Sequence, residues 1–128
     1  MTFVDTNYFI RFLLNDITDQ YTIAYNLFEL GAKGKKKLFT SVLVFFEIYW
    51  LFTSFYEKDK AEVCEILAKI LSMNFVYIDD RNLLVNSLDL YKHTVLDLED
   101  SYNCVLAKSK KADSFATFDN KLLRAFSK

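Results

Sequence analysis

The feature that most constrains this chain is a repeated order of segments. A short apolar run is followed by helical stretches, four times over. Met1–Val4, Leu38–Thr40, the segment NFVYID and Phe115–Phe118 read as strands. Helices are expected over Asn7–Leu14 and Asp19–Leu30, with Gly31 as the C-cap of the second. Ser41 is placed to cap a long helix running to about Phe55, and Lys58–Met73 continues helical. Further helices are expected over Asp80–Lys92, from Asp97 or Glu99 to Ser109, and over Asn120–Phe126. This order predicts an α/β fold whose parallel strands are joined by helical crossovers. In such sheets, ligands bind beyond the carboxyl ends of the strands. Acids that follow strands are therefore the residues to inspect.

The 128 residues fit one domain, and an apolar content of 52% supplies a core. A net charge of −1 rules out a globally basic nucleic-acid binder, so any such binding must use local patches. Asp5 interrupts the first apolar run, which argues against a secretory leader. The most apolar stretch, SVLVFFEIYWLF, is too short to span a membrane and carries Glu47 in its middle. Cys64 and Cys104 sit apart in helical segments and are expected to be plain buried thiols of a cytoplasmic protein.

Asp5 ends the first strand within FVDTN, and Asp119 ends the fourth. Parallel strands would bring both to one edge of the sheet. Glu47 lies about two turns into the helix that leaves the second strand, among Leu43, Val44, Phe45, Phe46, Ile48, Tyr49, Trp50 and Leu51. A carboxylate in that company is expected to have a partner. Asp97, Glu99 and Asp100 open the helix before the fourth strand. Helix capping accounts for Asp5, Asp97 or Asp119 taken singly. Asp79 and Asp80 also follow a strand, but they lack an apolar flank and read as a solvated cap.

The conjunction carries the weight. Two carboxylates 4 Å apart at a partly buried edge repel by about 4 kcal/mol. Several together require protonation or a cation. Oxygen donors suit Mg²⁺ or Mn²⁺, and with His93 as the single histidine, zinc is disfavoured. Such a site supports phosphodiester hydrolysis, in which the metal activates water and neutralises developing charge.

On these residues the chain resembles the PIN-domain family over essentially its whole length. FVDTN, SVLVFFEIYW and DLEDSYNCVLAKSKKADSFATFD look like the family's acid motifs in order. Length and order are similar to VapC-type toxins of prokaryotic toxin–antitoxin pairs. The resemblance implies a PIN-like three-layer α/β/α sandwich around a parallel sheet of four or five strands. Because only nine residues follow Asp119, four strands are expected, or a very short fifth. It implies a metal-dependent ribonuclease with Asp5, Glu47, Asp100 and Asp119 as the catalytic, metal-holding acids. Asp119 would act directly or through water. Thr6 would hydrogen-bond within the acid cluster, and Asp97 matches a less constant acid. A homodimer and a VapB-like antitoxin that blocks the site are implied as partners.

For RNA, Asn7, Arg11, Lys121 and Arg124 follow strand ends and are placed to hold phosphates, as is Arg81. Lys33, Lys35, Lys36 and Lys37 precede a strand and should lie at the opposite edge. Lys108, Lys110 and Lys111 are read the same way, as solvated surface. Among Trp50, Phe52, Phe55 and Tyr56, most are expected in the core, with some left for an interface. Competing readings are a PIN nuclease of RNA processing, a non-catalytic PIN-like module, and a flavodoxin-like receiver using Asp79. The last leaves Glu47 unexplained.

Overall fold

The computed structural model describes residues 1–128 and resolves two units, Met1–Asp79 and Asp80–Lys128. In the first, a parallel sheet is built from β1 (Thr2–Phe3), β2 (Leu38–Thr40) and β3 (Val76–Ile78), in that spatial order. Its helices are α1 (Thr6–Leu14), α2 (Thr18–Ala32), α3 (Val42–Trp50) and α4 (Lys60–Ser72). The register aligns Thr2 with Leu38 and Val76, and Phe3 with Phe39 and Tyr77. Side chains alternate between faces along a strand. Val4, Leu38, Thr40, Val76 and Ile78 are buried, whereas Phe3, Phe39 and Tyr77 share the opposite, more open face.

α1 packs on α2 and on α3, and α3 on α4. The contact between α1 and α2 is largely aromatic: Phe28 meets Phe9 at 5.3 Å and Phe12 at 5.1 Å between ring centres. Ser41 caps α3 as expected, its hydroxyl accepting from the Val44 amide at 3.1 Å. The same helix continues to Phe55, but its last turn, Leu51–Phe55, widens into a π-helix closed by the bond from Tyr56 N–H to the Leu51 carbonyl. Phe52 is fully buried there, while Trp50 and Phe55 are exposed, so fewer of these aromatics are core than expected.

Gly31 does not cap α2. It lies inside the helix, which runs on to Ala32 with Lys33 at the C-cap. A Cβ at Gly31 would meet Leu38 Cδ1 at 2.5 Å, so a larger residue there must displace the Leu38 side chain on β2. The turn instead uses Gly34, whose φ of 73° is left-handed and costs a glycine nothing.

The second unit contains α5 (Arg81–His93), α6 (Leu98–Ser109) and α7 (Asn120–Ser127). α6 packs on both α5 and α7. Leu96, Cys104 and Leu122 form a buried cluster flanked by Leu90, Phe115, Ala125 and Phe126. Both cysteines are buried and form no disulfide, and burial pushes the Cys104 thiol pKa up. No helix is long and apolar enough to cross a membrane.

The expected fourth strand, Phe115–Phe118, is irregular backbone, and the sheet has three strands, not four or five. The segment keeps a strand's alternation, with residues 115 and 117 half-buried and 116 and 118 exposed. Alternation alone does not supply ladder partners. Here Phe115 packs on Phe126 at 5.3 Å, and the Thr117 hydroxyl accepts from the Asp119 amide. Such local side-chain bonds compete with a ladder and turn the chain directly into α7.

Candidate active site acids and their surroundings

In the first unit, Asp5 stands where β1 ends and α1 begins. Val4 N–H bonds the Phe39 carbonyl, and the buried Thr40 hydroxyl donates to the Val4 carbonyl at 2.8 Å. These bonds fix the strand end from which Asp5 projects. Its Oδ1 accepts from the Thr6 amide at 2.8 Å, so Asp5 does cap α1. A carboxylate has acceptor capacity for about four bonds, so one capping bond leaves Oδ2 available.

Thr6 is buried, and its Oγ1 has no hydrogen-bond partner. A buried hydroxyl without a partner costs about 1–3 kcal/mol. It marks the place beside Asp5 where a water or ligand is wanted. Thr6→Val replaces the hydroxyl with a methyl of similar shape. We expect it to raise the melting temperature of metal-free protein by about 3–6 °C. A lower melting temperature in differential scanning calorimetry would show that the hydroxyl is already satisfied.

Glu47 requires a correction to the sequence reading. It is exposed, and its neighbours along the same face, Leu43 and Trp50, are 74% and 55% exposed. Val44, Phe45, Ile48 and Tyr49 face inward instead. α3 is apolar nearly all round, so its sequence does not reveal which face is covered. The premise of a carboxylate enclosed by apolar groups therefore fails. What keeps Glu47 a candidate is position: α3 leaves the same edge of the sheet as α1, packs on it, and carries Glu47 in its second turn.

Asn7 is exposed on the first turn of α1. Arg11 is already engaged, its Nη1 bonding both Asp16 oxygens at 2.8 and 2.9 Å and its Nη2 meeting the Tyr56 hydroxyl at 3.3 Å. The lysine cluster lies at the amino end of the sheet, where Thr2 N–H bonds the Lys37 carbonyl, away from Asp5. Asp79 accepts from the Tyr77 hydroxyl, and Asp80 occupies the cap position of α5 without a side-chain bond. Both are exposed.

In the second unit, Asp97 caps α6 by accepting from the Asp100 amide at 2.8 Å. Asp119 caps α7, its Oδ1 accepting from Lys121 at 2.9 Å and Leu122 at 3.5 Å. Its Oδ2 is uncommitted, as in Asp5. Burial raises the Asp100 pKa, and the charges of Asp97 and Asp119 raise it further; Lys121 works in the opposite direction. Burial likewise raises Glu99, with Asp97 and Asp100 adding to it. The structure thus brings Asp97, Asp119 and Lys121 within electrostatic reach of Asp100.

In neither unit do three or more His, Cys, Asp or Glu side chains come close enough together to hold a metal ion. The donor chemistry nonetheless fits a hard divalent cation: all the candidates are carboxylates, two have uncommitted oxygens, one has its pKa raised by burial and by negative neighbours, and an orphaned hydroxyl lies beside another. The PIN domain family model matches residues 2–127, a span that includes every acid discussed above. Comparison with curated proteins and with solved structures returns no match.

Proposed function

The chain belongs to the PIN-domain family, and from that premise we propose that it is a metal-dependent endoribonuclease, the toxin of a type II toxin–antitoxin pair. PIN domains are generally nucleases that use divalent metals. The observation that carries the reading is the family match over 2–127, with acids at each motif position of this sequence. The match runs through both units, which supports treating residues 1–128 as one nuclease domain.

In this reading Asp5, Glu47, Asp100 and Asp119 hold Mg²⁺ or Mn²⁺. When bound by these carboxylates, such a cation would supply an activated water and offset charge on the phosphodiester. Asp5 and Asp119 keep one oxygen in their helix caps, which orients the other. The Thr6 hydroxyl, unpartnered in the structure, would bond within the acid cluster once the cation and its water are held, and Asp97 holds the first turn of α6, so that Asp100 is presented from a fixed position. Asn7, Arg11, Lys121 and Arg124 steady the RNA backbone. Arg11 does so only by loosening its bond to Asp16. No side chain forms a covalent bond to RNA.

A cytoplasmic site of action, a homodimer and a VapB-like antitoxin complete the proposal. Exposed Leu43 and Trp50 beside Glu47 suit a surface that a blocking protein covers. The test is digestion of a mixed RNA pool. Cleavage is expected with Mg²⁺ or Mn²⁺ and none with EDTA, restored on adding metal back. Cleavage that persists in EDTA would refute the metal requirement.

A further inference from the structure

A cavity of about 300 Å³ opens in the second unit, lined by Thr94 and Leu96 and by Lys108, Lys121, Arg124 and Lys128. No acid lines it. Lys121 and Arg124 stand three apart on α7, and Lys128, the C-cap, follows four residues later at the same side of the cavity. Leu122, Ala125 and Phe126 form the separate apolar stripe that packs into the unit. Lys108 reaches the same cavity from α6 and donates to the Ala125 carbonyl at 3.2 Å. Lys108 is exposed, as expected for solvated surface, but its amine is also tied to α7. Its bond is structural, and it adds positive charge to the cavity. The three α7 cations make no ion pair within the structure.

We infer that this cavity is a subsite for a backbone phosphate of single-stranded RNA. The inference rests on the ribonuclease reading and specifies where its substrate lies. Four cations converging on one cavity without an acid call for an anion. The anion is a phosphate of a strand rather than a free ion, because the cavity adjoins the acids. Asp119 caps the helix that bears the cations, and Lys121 both lines the cavity and acts on the Asp100 carboxyl. From the Asp119 cap to Arg124 and Lys128 is about 8–14 Å along the helix. A strand reacting at the acids has its neighbouring phosphates within that reach. Thr94 keeps its hydroxyl bonded to the Leu90 carbonyl and the Leu96 amide, so the cations alone supply recognition.

The test uses the full chain carrying Asp5→Asn, in EDTA, with a fluorescein-labelled single-stranded RNA read by anisotropy at 50 and 200 mM KCl. The triple variant Lys121→Gln, Arg124→Gln, Lys128→Gln removes exposed charges and leaves Lys108 to hold α7; circular dichroism confirms that it is folded. Expected are affinity at least about 10-fold weaker and a salt slope shallower by about 2, since each lost phosphate contact is worth about 0.7 on single strands. Arg124→Lys alone should keep the slope. Inorganic phosphate at millimolar concentration should compete weakly; competition that abolishes RNA binding would make the ligand a free anion and overturn the assignment. So would unchanged affinity and slope in the folded triple variant. Because binding is read without cleavage, the two readings fail separately. A wild-type chain that cuts no RNA but binds it through these cations loses only the nuclease reading. A chain that cuts RNA but binds it equally without them loses only the subsite.

Discussion

Asp5→Asn is expected to lower kcat/KM for RNA by about 10³-fold or more while the fold stays intact. A cation's stabilisation of the transition state is worth several kcal/mol, and about 4 kcal/mol corresponds to that factor. The fold survives because asparagine is as good a cap as aspartate, and its side-chain oxygen can still accept from the Thr6 amide. Asp5 is exposed, so its charge contributes little beyond the α1 dipole term of about 0.3–1 kcal/mol. The melting temperature should fall by no more than about 4 °C. Full activity in this variant would remove Asp5 from the chemistry and leave it as a helix cap only.

Asp100→Asn should reduce cleavage by about 10²–10³-fold with almost no change in stability, for a different reason. Here two effects oppose. Burial and the charges of Asp97 and Asp119 raise the Asp100 pKa, so the ionised carboxyl is a liability in the folded chain at neutral pH. The same carboxyl lies in the first turn of α6, where negative charge gains about 0.3–1 kcal/mol from the dipole. Repulsion among partly exposed charges is of similar size, about 0.2–1 kcal/mol. The melting temperature should therefore stay within about 3 °C of the wild type at pH 7.

The pH dependence separates the two effects. A folded carboxyl with a raised pKa holds a proton that the unfolded chain has released. Its stabilising contribution is complete below the ordinary carboxylate range and is lost as pH rises through the raised native value. In EDTA, the melting temperature of the wild type minus that of Asp100→Asn should thus decline from pH 4 to pH 7. A difference that grows with pH would mean that Asp100 is stabilised as an anion without metal.

These variants also show what the sequence discloses. Leu38–Thr40 is a strand as read, and Ser41 caps α3 as read, because strand propensity and capping are local properties. The capping roles of Asp97 and Asp119 were legible for the same reason. The exposure of Glu47 is not legible, because a helix apolar nearly all round does not announce its open face. Phe115–Phe118 was misjudged because a strand exists only with a neighbour, and alternation does not show one. Gly31 looked like a helix stop, whereas its real constraint is Leu38, seven residues away in sequence and against it in space. Thr6, Lys121 and Arg124 are legible as candidates, but that the Thr6 hydroxyl is orphaned and that these cations share a cavity with Lys108 and Lys128 depends on what surrounds a side chain in three dimensions. The spacing of Lys121, Arg124 and Lys128 was the one signal available for the latter.

The central claim is that carboxylates of this chain hold a catalytic divalent cation. Calorimetric titration with Mn²⁺ tests it most directly, using the wild-type chain, Asp5→Asn and Asp100→Asn. The account predicts a single site per chain in the wild type and affinity at least about 10-fold weaker in each variant. No saturable Mn²⁺ binding by the wild type, or wild-type affinity in either variant, would contradict it.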